Sequence, residues 1–306
     1  MQILLSIVMK KTMKATKLNL SSEKLDLLDK MLSRVGDLNF RRRVITMLSY
    51  LDIKDGDKIL DAGCGEGFYT MIISNLWKCE ITSIDYDTEI LNKAKKWLPN
   101  SDKIIVRQES LYEIKSSDNY FDKVLCTEVI EHLEDDKKAI SELKRVLKTG
   151  GTLALTVPNK NYPLLWDPLN KIRESLGLGH FNPLNGFWGG IWAYDHKRLY
   201  LPKEIEEVVC SCGFEIKKTE ALTHFGIPFN HLVLYVGKNL YNRMPVSEDM
   251  KKSMEKFEWK DSDKKNLWRV LLNLGFSILK KVDSLNEKDF SLNTSTMAVS
   301  ILAIKK

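Results

Sequence analysis

The chain has no run of 18 apolar residues free of charge, so no membrane-crossing helix is expected. Cysteine is scarce. Cys64, Cys79, Cys126, Cys210 and Cys212 make an odd five with no framework spacing. Cys210-Ser-Cys212 is too tight for a zinc knuckle and no second pair answers it. These residues therefore read as reduced, mostly buried thiols of a cytosolic protein. Neither sign of charge dominates: 47 Lys and Arg against 41 Asp and Glu leave +6 over 306 residues. Dedicated nucleic-acid modules concentrate basic charge more than this, so a nucleic-acid partner is not indicated. Internal repeats and low-complexity segments are absent as well. Met1–Met9 is a short apolar run without basic residues ahead of it or a small-residue cleavage site behind it. Lys10 and Lys11 follow, so it does not read as a signal peptide, and Met9 and Met13 stand as alternative starts.

What is present is an ordinary globular balance, 43% hydrophobic and 29% charged, enough for one large domain or two modest ones. Leu25, Leu27, Leu28, Met31 and Leu32 recur at helical spacing after Ser21-Ser22, with Gly36 as a stop. A second helix is expected at about Phe40–Leu51, its Arg41-Arg42-Arg43 triplet read as a solvated face. From Lys58 the rhythm changes. Lys58–Ala62, Glu80–Asp85, Lys103–Arg107, Phe121–Cys126 and Gly151–Val157 read as strands, alternating with helical Phe68–Leu76, Glu89–Trp97 and Asp135–Leu147. Such alternation predicts a parallel sheet with right-handed crossovers and helices on both faces. Tyr162–Tyr200 breaks the pattern and is rich in Gly, Pro and aromatics. Pro202–Cys212 then reads as a helix, Phe214–Leu222 as a strand, Pro228–Leu292 as mostly helical and Thr294–Ile304 as a last strand.

The most informative stretch is Lys58 to Gly67, a buried strand running into Gly63, Gly65 and Gly67 and then a helix. Glycine removes the Cβ atoms, so such a loop turns sharply and lets a ligand approach its backbone. The spacing is G-x-G-x-G, with Phe68 where a dinucleotide fingerprint would carry its third glycine and Asp61 just before the loop. The next strand ends at Asp85, placed to accept hydrogen bonds from ribose hydroxyls.

At these residues the sequence resembles the class I S-adenosylmethionine-dependent methyltransferases. Asp61 to Gly67 is similar to the family's first motif, and Asp85, with Tyr86 beside it, to its ribose-binding acid. Glu109-Ser110 falls where the family usually has Asp near the adenine. Phe121 to Val124 and Leu147 to Gly151 match the entry to the fourth strand and the turn into the fifth, with Thr149 in place of the familiar proline. The resemblance spans roughly Val44 to Leu222. It implies an α/β fold with a doubly wound, mostly parallel Rossmann-like sheet. It implies an S-adenosylmethionine-dependent methyltransferase whose cofactor is held by Asp61, Gly63, Gly65, Gly67, Asp85, Tyr86, Glu109 and Ser110.

A second constellation follows the fourth strand. If Thr127–Leu133 turns as a helix, Glu128, Glu131 and His132 share one face, since i, i+3 and i+4 lie together. A distant His196 would fold back over the same patch. Glu-x-x-Glu-His with a later His resembles two metal-assisted branches of the family, the polyprenyl-catechol O-methyltransferases and the small-RNA 2′-O-methyltransferases. That resemblance implies a divalent cation on Glu128, Glu131, His132 and His196, and mixed O and N ligands do not choose among Mg²⁺, Mn²⁺, Fe²⁺ and Zn²⁺. The metal-free alternative makes His132 a general base, with Glu131 as its catalytic neighbour. His180, His224 and His231 have no partner pattern and read as structural.

The expected organisation is a helical cap over residues 1–50 and a methyltransferase domain over 51–306. Within that domain lie an aromatic lid at 160–200, with an aromatic sub-core as the other reading, and a helical insertion at 226–292 before the last strand. Lys264–Val282 carries a polar stripe on an otherwise apolar helix with lysines at both ends. Packing against the domain and a peripheral membrane contact both suit it. The expected reaction is O-methylation of a small-molecule or lipid-linked acceptor in the cytoplasm. An RNA 2′-O-methyltransferase and a non-catalytic S-adenosylmethionine-binding module are the alternatives.

Overall fold

In the computed structural model, the described residues are 18, 20–32, 35, 37–181, 190–192, 196–226, 281–287 and 290–306. Two helices, α1 (Ser22–Leu32) and α2 (Leu38–Leu51), precede the sheet. Asp37 caps α2 by accepting from the backbone N–H groups of Asn39 and Phe40. There follow β1 (Lys58–Ala62), α3 (Phe68–Leu76), β2 (Glu80–Asp85), α4 (Thr88–Trp97), β3 (Ile104–Gln108) and β4 (Phe121–Thr127). After a single 3-10 turn at Ile130–His132 come α5 (Asp136–Val146), β5 (Leu147–Pro158), α6 (Pro168–Ser175), α7 (Pro202–Ser211), β6 (Phe214–Leu222) and β7 (Ala298–Lys305). The expected alternation is present, with ends displaced by a few residues. Helix α6 was not foreseen. The Lys264–Val282 helix and most of the 226–292 insertion lie outside the described residues.

The seven strands form one sheet in the order β3-β2-β1-β4-β5-β7-β6. Neighbours from β3 through β5 are parallel, and β7 runs antiparallel to both β5 and β6. Strands buried on both faces need apolar residues on both, and β1 divides its side chains accordingly. Ile59 joins a core with Leu28, Met31, Val44, Leu48 and Ile72, while Leu60 and Ala62 join one with Ile140, Leu143, Ile205 and Val209. Helices α1 to α3 therefore cover one face, and α5 and α7 the other. Tyr162, Ile191, Trp192 and Leu199 close a third, smaller cluster with Trp166 against it, so the described part of the 160–200 segment contains an aromatic sub-core.

The arginine triplet is not a solvated face. Arg41 is buried and donates to the Leu32 carbonyl (3.1 Å), which ties α2 to the end of α1. Arg42 donates to the side chain and backbone of Asp283 (3.0 and 2.7 Å), and Arg43 reaches Glu128 (2.8 Å). Three consecutive helical residues point about 100° apart, so one triplet serves three neighbours. The charge pattern alone does not reveal those partners. All five cysteines are free thiols; Cys64, Cys79 and Cys126 are buried, whereas Cys210 is exposed and Cys212 half-buried.

Candidate active site

Parallel register places Ile84, Ala62 and Cys126 side by side at the carboxyl ends of β2, β1 and β4. The residues that follow line the crevice such a sheet leaves at its switch point. Gly63 and Cys64 both donate their N–H groups to the Ile84 carbonyl (2.8 and 2.9 Å). The Gly65 N–H donates to Asp85 Oδ2 (2.9 Å), and Asp87 N–H to Asp85 Oδ1 (3.0 Å). Each carboxylate oxygen of Asp85 keeps capacity for a further donor. Gly63 has φ +75° and a Cβ on it would overlap Val129, so glycine is required there by conformation and by space. Around Gly65 (φ +53°) nothing lies within 4 Å of where a Cβ would stand, and the crevice is open above it.

Asp61 takes a different part from Asp85. It is buried, accepts from the Thr70 hydroxyl (2.6 Å), and that hydroxyl also meets Ser83 (2.6 Å). It thus ties β1 to α3 and β2 behind the loop. Burial pushes its carboxyl up to about 6, with Thr70 offsetting part of the rise. Tyr86 is 80% exposed at the crevice rim. Glu109 is turned inward, accepting from the Lys115 N–H (3.1 Å) and Arg107 (3.4 Å), while its neighbour Ser110 is exposed.

Beyond β4 the chain does not continue as one helix. Glu128 adopts a left-handed backbone (φ +54°), and only Ile130–His132 form a 3-10 turn. The expected shared face is replaced by two groupings. Glu128 turns to Arg43 of α2. Glu131, His132 and His196 converge, with one ligand atom of each within 4.8 Å of the others. Both imidazole Nε2 atoms lie 3.9 Å from Glu131 Oε1, and the two rings meet edge-on at 4.7 Å. His196 is delivered by the backbone bond from Lys197 N–H to the Glu131 carbonyl (3.0 Å). Its Nδ1 sits 2.5 Å from the Ile191 carbonyl, so Nδ1 carries the proton and Nε2 presents a lone pair to Glu131.

Glu131 is the unusual member. It is completely buried, and neither carboxylate oxygen has a hydrogen-bond partner among the described residues. Burial, with the negative Glu128 nearby, holds its carboxyl well above the usual carboxylate range. A buried acid without donors is costly unless a proton or a cation compensates it. His180 instead stacks on Trp192, and His224 Nδ1 meets the Ser295 carbonyl. His231 lies outside the described residues. Arg43 was missed as a site residue, since an arginine in a basic run carries no mark of its partner.

Two outcomes follow. Arg43→Leu leaves Glu128 without its cation and should lower stability by about 2 kcal/mol; Arg43→Leu with Glu128→Leu should recover most of that, read by denaturant unfolding. Asp61 has a folded pKa above its unfolded value near 4, so its stabilising share is present at low pH and lost as pH rises through about 6. Asp61→Asn should remove a fall of about 3 kcal/mol between these limits, measured as the difference between the two proteins' pH–stability curves.

The methyltransferase-domain family matches residues 60–155, the stretch from β1 through most of β5. A Mycolicibacterium smegmatis protein named a probable S-adenosylmethionine-dependent methyltransferase is 29% identical over 185 residues, covering 60% of this chain and 62% of that protein. A ubiquinone biosynthesis O-methyltransferase of Thiobacillus denitrificans is 25% identical over 179 residues, covering 55% of this chain and 69% of the relative. The chain spans about half to two thirds of the length of the first curated relatives it matches. In fold it is similar to the [4+2]-cyclase SpnF, with a TM-score of 0.52 at 17% identity over 86% of this chain and 80% of that one. The glycine loop, the strand-end acid and the sheet order agree with that match, and residues 60–155 form a methyltransferase domain of the class I S-adenosylmethionine-dependent type.

Proposed function

We propose that the protein transfers the sulfonium methyl group of S-adenosylmethionine to an oxygen of a small or lipid-like acceptor. The observation that carries this reading is the buried Glu131 carboxyl, without a hydrogen-bond donor among the described residues, between His132 and His196. A shared fold does not choose the reaction, as the likeness to a [4+2]-cyclase illustrates, so the argument rests on the site. The similarity to a ubiquinone biosynthesis O-methyltransferase supports oxygen as the acceptor atom.

The bound cofactor supplies a methyl group on a positively charged sulfur, already activated toward displacement. The chain's residues bind it, align it and handle the proton. Asp85 accepts from the ribose hydroxyls with the lone pairs left by Gly65 and Asp87. The bare backbone at Gly65 lets the cofactor lie close to β1. In this reading His132 Nε2 would take the proton of the acceptor hydroxyl whose oxygen receives the methyl group. Glu131, 3.9 Å away, would stabilise the resulting imidazolium in its ionised form, which the proton gained by His132 would itself favour. The sub-core of Tyr162, Trp192 and Leu199 includes Ile191, whose carbonyl holds His196 Nδ1.

A second reading is favoured by the donor set itself. Two carboxylate oxygens without partners and a His196 Nε2 lone pair, with His132 beside them, suit a divalent cation, and Glu131, His132 and His196 would hold it. Such a cation would lower the pKa of the acceptor hydroxyl. Glu128, engaged by Arg43, stands outside this trio. The two readings are exclusive at His132, because a lone pair given to a cation is not available to a proton.

Asp85→Ala should weaken cofactor binding by about 1.5–3 kcal/mol, the range of a charge-assisted hydrogen bond. Calorimetric titration with S-adenosylhomocysteine measures this, and unchanged affinity removes the assignment. Elemental analysis of protein purified without chelator separates the two readings of the histidines. A stoichiometric metal lost in both His132→Ala and His196→Ala supports the cation. A metal-free wild type that methylates an oxygen acceptor supports the base.

A further inference from the structure

His132 and His196 approach one buried acid from distant parts of the chain, so their spacing is set by whatever joins those two segments. The backbone supplies a tie, from the Lys197 N–H to the Glu131 carbonyl (3.0 Å). A hydrogen bond by itself fixes a distance and leaves open the angle between the segments it joins.

Side chains fix that angle. Arg198 stands two residues past His196, and its Nη2 donates to the carbonyl of Glu134, two residues past His132 (2.7 Å). Its Nη1 reaches Asp136 Oδ2 (3.1 Å), and the Tyr200 hydroxyl donates to that same oxygen (2.7 Å). One guanidinium thus spans both histidine-bearing segments and ends on the first residue of α5. That helix is anchored: Ala139, Ile140, Leu143 and Val146 are buried in the core that Tyr200 also enters. Leu199 is buried in the sub-core with Ile191, whose carbonyl holds His196 Nδ1. Lys197 Nζ also meets Glu134, but that pair is exposed, and a flexible ammonium imposes no angle.

The structure assigns Arg198 as the positioning residue of the histidine pair, acting through the backbone of the two segments it joins. A half-buried ion pair near the surface adds little to stability. The planar fork of an arginine, by contrast, imposes direction on two acceptors at once. A reacting group displaced by about 1 Å can cost a site most of its rate. General base and cation ligand both need the two imidazoles held at Glu131, so this role rests on that reading of the histidines. The spacing itself is measured without any methyl acceptor.

The test is magnetic resonance of the full chain with isotope-labelled histidine in a deuterated background. It reads the nuclear Overhauser contact between the His132 and His196 rings, whose centroids are 4.7 Å apart. The wild type should show the contact. Arg198→Leu should weaken it about threefold, the inverse-sixth-power result of a ~1 Å displacement. Arg198→Lys should fail to restore it, because an ammonium is a point charge and not a fork. Tyr200→Phe removes the other bond to Asp136, leaves both arginine bonds in place and should keep the contact. Thermal midpoint and S-adenosylhomocysteine affinity should stay near wild type in both arginine variants, and if Arg198→Leu does not fold, Arg198→Lys decides. A wild type without the contact overturns the assignment, as does full-strength contact in either arginine variant. A Tyr200→Phe contact that falls as far as that of the arginine variants overturns it, and so does a parallel loss of midpoint and cofactor affinity. Failure of the base or cation reading shows separately, in the metal and activity measurements on His132→Ala and His196→Ala.

Discussion

Three successive backbone N–H groups, those of Gly63, Cys64 and Gly65, are fastened to the tip of β2. Everything proposed for the cofactor depends on that stitch. It holds the loop against the neighbouring strand and sets the separation between the bare backbone and the Asp85 carboxylate. The cost of ordering the loop is met when the sheet forms, because Ala62 and Ile84 are already paired in register. Asp61 supports the arrangement from behind through Thr70 and Ser83 and takes no part at the open side. Asp61 thus serves the architecture, and Asp85 is left for the proposed recognition.

The opposite wall is built on a different constraint, the expense of burying carboxyl groups. Glu128 meets it with a guanidinium supplied by a helix that precedes the sheet, and accepts a left-handed backbone in doing so. Glu131 has no hydrogen-bond donor among the described residues, only the two imidazoles at 3.9 Å. A left-handed residue beside an unsatisfied buried acid is what the proposed chemistry rests on. The N-terminal helices therefore act as part of the wall, and they share one core with β1 and α3.

The central sheet was legible in the residues because parallel strands buried on both faces write themselves as short apolar runs between amphipathic helices. The glycine loop was legible for a related reason: its backbone demands are met by only one residue type. The converging histidine pair was partly legible. Its members could be named, but the turn that unites them is a 3-10 step after a left-handed Glu128, and no periodicity rule anticipates that. Arg43 was not legible, since a basic triplet looks alike on a solvated helix and on one that reaches three partners. Helix α6 was hidden among prolines, glycines and aromatics, although Asp167-Pro168 is a recognisable helix opening.

The position of β7 has a further consequence, one for the order in which the chain becomes a fold. Residues 298–305 lie between β5 and β6, and among the described residues β6 has no other strand neighbour. While the ribosome is still making the chain, β5 and β6 exist with raw edges, and only synthesis past residue 305 lets the missing rung enter. Exposed edges of that kind recruit other chains. A nascent protein stalled short of this point would be a client for a chaperone, and the cell's first encounter with this sheet is with its unfinished side.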